Sequence, residues 1–131
     1  MKRRQFLAGS AAGGTLAASG IAVAWGRAPM ATLEAARRAS VVLHDQRIAL
    51  DPAVARRLKA NGAQVVSLTE DPVRLWRSEV GAVLRQPGTR LFGVTRWADY
   101  LIVRGLAAES RRHVRHERHD PESGTFTWLI A

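Results

Sequence analysis

Val41-Val42-Leu43-His44-Asp45-Gln46-Arg47-Ile48-Ala49-Leu50-Asp51-Pro52-Ala53-Val54-Ala55-Arg56-Arg57-Leu58-Lys59-Ala60-Asn61-Gly62-Ala63-Gln64-Val65-Val66-Ser67-Leu68 reads as one β-α-β unit. The short apolar run 41–44 predicts a buried strand. Asp51 can cap the free amides of a helix, and Pro52 suits its first position. Val54 and Leu58 fall on one face of that helix, and Asn61-Gly62 closes it. The run 64–68 is the second strand.

The same punctuation recurs downstream. Asp71-Pro72 opens a second helix with Val73, Trp76, Val80 and Val83 or Leu84 at helical spacing, and Gln86-Pro87-Gly88 ends it. Arg90-Leu91-Phe92-Gly93-Val94 is the third strand. Thr95 is placed to cap a third helix, in which Ala98, Leu101, Ile102, Gly105 and Leu106 recur at three and four. Residues 113–119 and 125–130 flank the turn segment Asp120-Pro121-Glu122-Ser123-Gly124 and predict a hairpin. The order β-α-β-α-β-α-β-β argues for an α/β domain over residues 41–131: a small, open, mostly parallel sheet with helices on its faces. Its outline is Rossmann-like or flavodoxin-like, with an antiparallel C-terminal pair at one edge. Residues 25–40 read as a linker with a short helical turn near Leu33 to Arg38.

In such a sheet ligands sit beyond the carboxyl ends of the strands. Those positions hold His44 and Asp45, then Thr69 and Glu70, then Thr95, Arg96 and Trp97. A histidine beside carboxylates suits acid–base work. Thr95 and Arg96 at a helix start suit an anion. The candidate ligand-binding set is therefore His44, Asp45, Thr95, Arg96 and Trp97, and no catalytic residue is assigned. No glycine-rich phosphate loop follows a strand, and no nucleophile elbow is present. His113, His116 and His119 invite a metal reading. On a strand, however, His113, Glu117 and His119 share one face and His116 takes the other, among Arg111, Arg112, Arg115 and Arg118. No metal and no cofactor is expected. Trp97 and Tyr100, three apart, can line a pocket or meet a partner, although core packing is the commoner role for aromatics at that spacing.

The chain has 131 residues, no cysteine, and a net charge of +9 from 20 basic and 11 acidic residues. Lys2 and Lys59 are its only lysines; the other basic residues are arginines. Without cysteine there are no disulfides, thiol nucleophiles or cysteine-held clusters. The basic residues are not interleaved with aromatics in a run, so they read as a solvated surface, and no nucleic-acid partner is expected.

The first residues, Met1-Lys2-Arg3-Arg4-Gln5-Phe6-Leu7, resemble a bacterial twin-arginine export signal. Arg3, Arg4, Phe6 and Leu7 carry the likeness. An uncharged Ala- and Gly-rich stretch follows, with small residues at Ala22 and Ala24 where a signal peptidase would cut. The resemblance implies a signal over 1–24, the twin-arginine translocase as a partner, and a periplasmic destination. The alternative is an uncut anchor in the inner membrane, since the stretch is long enough to span. The runs Gly93-Val94-Thr95-Arg96-Trp97-Ala98-Asp99-Tyr100 and Arg104-Gly105-Leu106-Ala107-Ala108-Glu109, with Val41, Leu43-His44-Asp45 and Leu75-Trp76-Arg77, resemble small proteobacterial twin-arginine-signal proteins. That family carries no established activity to transfer. Two classes of function follow: a non-enzymatic exported accessory or binding protein with an exported partner, or a small-molecule or anion-binding domain or small enzyme working at the strand ends.

Overall fold

Why these segments pair as they do follows from strand connections that leave the sheet on opposite faces. The computed structural model describes residues 28–69 and 71–131. Arg3, Arg4, Phe6, Leu7, Ala22, Ala24 and Glu70 lie outside them. The strands are β1 (Val41–His44), β2 (Gln64–Ser67), β3 (Leu91–Arg96), β4 (Val114–Asp120) and β5 (Thr125–Ile130). The helices are α1 (Met30–Arg37), α2 (Pro52–Ala60), α3 and α4 (Trp97–Glu109). Helix α3 comprises three consecutive segments, Pro72–Leu75, Trp76–Val80 and Gly81–Leu84.

The sheet order is β2-β1-β3-β5-β4. β1 runs parallel to both β2 and β3, while β5 is antiparallel to both β3 and β4. The α/β class holds, but the sheet is mixed rather than mostly parallel. The α4 crossover carries the chain past one strand position, and the hairpin returns β5 into that gap. β4 is left at the edge.

Helices cover both faces. Val42, Phe92, Val94 and Leu129 pack with Ala35, Ala36 and Ala39 and with Val54 and Leu58 of α2. Val41, Leu43, Leu91, Trp128 and Ile130 pack on the other face with Leu75, Trp76, Val80 and Leu84 of α3 and with Tyr100, Val103 and Ala107 of α4. The step from β1 to β2 moves one way along the sheet, and the step from β2 to β3 moves the other. A constant crossover hand then demands opposite faces for α2 and α3.

Local chemistry sets the helix ends. Asp51 Oδ1 accepts from the amides of Ala53 (2.8 Å) and Val54 (3.4 Å). Asp71 accepts from the Val73 amide at 2.8 Å. Both helices begin with proline, as the sequence reads. Within α3 the Gly81 amide donates to the Trp76 carbonyl, one residue further back than in an α-helix. A Cβ at Gly81 would lie 2.9 Å from that same carbonyl and from the indole nitrogen of Trp76.

Residues 25–40 are not a free linker where the structure describes them. α1 buries Thr32, Ala35 and Ala36 against the sheet, and Ala28 packs beside them. The helix belongs to the body of the fold.

β5 holds the densest packing. All six of its residues are buried. Trp128 faces Gly93 across the β3–β5 ladder, and a Cβ at Gly93 would sit 1.9 Å from the indole ring. The strand needs glycine there because the indole fills the space a side chain would take. Gly93→Ala should therefore destabilise the protein by about 3 kcal/mol, the upper end for overpacking, because the ring is fully buried and cannot swing aside. Urea denaturation checks this; an unchanged midpoint would show that Trp128 does not lie over Gly93.

Candidate functional site

Asp45 follows the last residue of β1, and its amide continues the ladder by donating to the Val94 carbonyl at 3.0 Å. This places its carboxylate at the carboxyl end of the sheet, where it is buried. An isolated buried carboxylate is costly, so it needs a partner. Arg47 supplies one two residues later. Its backbone amide and Nε donate to Asp45 Oδ1 at 3.0 and 2.9 Å, and its Nη2 donates to Oδ2 at 2.8 Å. The Arg47 fork holds the Asp45 carboxyl below the usual carboxylate range, outweighing the upward push of burial. The Asp45 side chain is 1% exposed and that of Arg47 is 64% exposed, so the guanidinium presents its outer side to solvent from a fixed position.

Gln46 Nε2 donates to Ser67 Oγ at 2.7 Å and ties the ends of β1 and β2 together. Asp99, in the first turn of α4, comes from the far side. Its carboxyl is raised above the usual range, first by burial and then by the negative charge of Asp45, with Arg47 and Arg96 acting the other way. These groups surround a crevice of about 460 Å3 lined by Asp45, Gln46, Arg47, Leu68, Thr69 and Asp99. Two carboxyls shifted in opposite directions thus share one opening with a fixed guanidinium.

The structure sorts the five residues read from the sequence. Asp45 lines the crevice. Arg96 ends β3 with an exposed side chain whose charge acts on both Asp45 and Asp99. His44 does not join them. It lies on the α2 side of the sheet, where its Nε2 donates to the Ile48 carbonyl at 2.7 Å. Thr95 is not a helix cap. It is buried in β3, accepts from the Trp128 indole at 3.0 Å and donates to the Arg96 carbonyl at 3.1 Å. α4 starts at Trp97 without a side-chain cap. Trp97 is 45% exposed and packs on Phe126, with ring centroids 4.8 Å apart.

The sequence reading does not single out Gln46, Arg47 or Asp99. The Asp-x-Arg spacing was a usable signal for Arg47. Asp99 resembles any acidic residue in a first helical turn, and only the fold brings it near Asp45.

The neighbouring aromatic and histidine positions have structural roles. Tyr100 donates to Glu117 Oε1, and its phenol is pushed up to about 12, by burial first and by that bond second. His119 stacks on Phe126 at 4.3 Å, and His116 Nε2 bonds Thr32 Oγ1 at 3.0 Å. The three β4-region histidines therefore do not converge. Among the described residues no group of three or more His, Asp and Glu could hold a metal ion, and no helix is long and apolar enough to cross a membrane. No family model matches the chain, and neither curated proteins nor solved structures give a match.

The raised Asp99 carboxyl has a consequence for stability. Folding disfavours its charged form, so the cost appears as pH rises through the usual carboxylate range to the raised folded value, and is full above that. At lower pH both states are protonated and the cost vanishes. Asp99→Asn should therefore stabilise the protein near pH 7, with the gain fading by about pH 3. Urea midpoints at the two pH values test this; a loss of stability near neutrality would contradict it.

Proposed function

We propose that this chain is an exported binding domain that holds a small carboxylate in the crevice at the carboxyl ends of β1 and β2. The observation that carries the reading is the Arg47 guanidinium, held by a buried carboxylate at the wall of a 460 Å3 opening that also contains the uncommitted Asp99. A pre-positioned planar fork suits a carboxylate or a phosphate. Asp99 favours the carboxylate. When protonated it donates to the second oxygen of a monoanion; when charged it repels one. The β2-β1-β3 half of the sheet supports the placement, because its connections leave on opposite faces at this crevice. The opposed shifts of Asp45 and Asp99 also favour a second reading, a small enzyme in which Asp99 gives up a proton to a bound substrate.

Binding is tested with lactate and succinate by titration calorimetry, with inorganic phosphate as the competitor. Affinity should tighten as pH falls toward the range in which Asp99 takes up its proton. Asp99→Asn, which keeps a donor at that place, should bind and lose the pH dependence. Arg47→Gln should weaken binding by about tenfold or more, the cost of losing a charge-assisted hydrogen bond. Phosphate binding in preference to both carboxylates, or pH dependence that survives in Asp99→Asn, would reject this reading.

Export rests on the sequence of the leader. Replacing Arg3 and Arg4 together by lysine should retain the protein in the cytoplasm of the native host, as read by cell fractionation. Undiminished arrival outside the inner membrane would rule out the twin-arginine route.

A further inference from the structure

A second opening, of about 400 Å3, lies on the α2 side of the sheet and shares no residue with the crevice. Its walls are aliphatic: Val42, Leu50, Ala55, Leu58 and Val65. The register explains why it exists. Val42 of β1 pairs with Val65 of β2, which puts both on the α2 side. Leu58 of α2 covers Val42, and both are buried. β2 is an edge strand, and α2 does not cover it fully, so Val65 is left 59% exposed. A trough with a buried apolar floor and a solvent-facing apolar rim results. Pockets that take small molecules have this character, with few polar groups.

The polar lining is sparse and specific. His44 is fixed as a wall, because its Nε2 donates to the Ile48 carbonyl. Lys59, in the last turn of α2, is the charged residue of the trough. Among the described residues no carboxylate forms an ion pair with Lys59. It is also the one lysine beyond Lys2 in a chain whose other basic residues are arginines. An ammonium on a flexible stem lays its methylenes along apolar surface and keeps its charge at the rim.

We propose that this trough is a binding site for a medium-chain aliphatic carboxylate, its chain against Val42, Leu58 and Val65 and its head group on the Lys59 ammonium. The charge selects the head group and the aliphatic walls select the tail. The proposal does not depend on the crevice.

The test is titration calorimetry of the full chain with octanoate, decanoate and dodecanoate below their micelle concentrations. Affinity should tighten by about fourfold per added methylene, the value of burying one CH2, until the trough is full. Lys59→Gln should weaken decanoate by about threefold to fivefold, the upper part of the range for an exposed ion pair, and leave decanol unchanged. Val65→Asp should abolish binding of both; the position is exposed, and circular dichroism checks that the fold persists. Excess succinate should leave decanoate affinity unchanged. Absence of binding, a series flat in chain length, equal effects of Lys59→Gln on acid and alcohol, or competition by succinate would each overturn the proposal. So would a concentration-dependent dimer that Val65→Asp dissolves in the absence of acid binding, which would make a second copy the occupant.

Discussion

The indole of Trp128 lies across Gly93 and donates to Thr95 Oγ1, and the geometry of the rest depends on this contact. It joins β5 to β3 at two levels of the ladder, by filling the space over a glycine and by satisfying a buried hydroxyl. Tyr100 then stacks on Trp128 with centroids 5.6 Å apart, and Phe126 stacks on Tyr100 at the same separation. This column fixes the start of α4. Arg96 and Asp99 are set by where that helix begins, so the polar crevice inherits its width from an aromatic contact on the far side of β3. Large buried rings are well suited to this, because each adds both apolar burial and a defined direction.

The crevice itself is electrostatically unrelaxed. Asp45 is paid back for its burial by Arg47, whereas Asp99 forms no ion pair among the described residues, and the charge of Asp45 outweighs that of either Arg47 or Arg96 on it. A fold selected for stability alone would replace Asp99 by a neutral residue. In the proposed carboxylate site this disfavoured carboxyl is the group that takes up the proton. The same contrast separates Asp45 from Asp51, Asp71 and Asp120. Asp51 and Asp71 accept from backbone amides at helix starts, and Asp120 accepts from the Ser123 hydroxyl and the Glu122 amide in the hairpin turn. Asp45 alone of these pairs with a charge.

Local chemistry was legible in the sequence; neighbour choice was not. Asp51-Pro52 and Asp71-Pro72 marked real helix starts because capping and proline geometry act over three residues. The hairpin was legible from its turn, since Asp120, Ser123 and Gly124 close it. That β5 enters between β3 and β4 is a property of the whole sheet, and no local pattern carries it. Thr95 had the residue type and position of a cap, yet an indole 33 residues away claims its hydroxyl. α1 read as a linker because its inner face is threonine and alanine, which carry little apolar signal even when fully covered. The one-residue expansion of α3 at Trp76 has no signature except the glycine that permits it.

β2 ties the two openings together. It has a pairing partner on one side only, so its two faces and its carboxyl end meet different surroundings. Toward α3 it buries Val66. Toward α2 it leaves Val65 at the rim of an apolar trough. At its carboxyl end Leu68 and Thr69 form a wall of the polar crevice, braced by the Gln46 bond to Ser67. A central strand could not do this, because helices and neighbouring strands would cover every side of it. Placing the least enclosed parallel strand at the periphery gives this small sheet two chemically distinct concavities without opening its core.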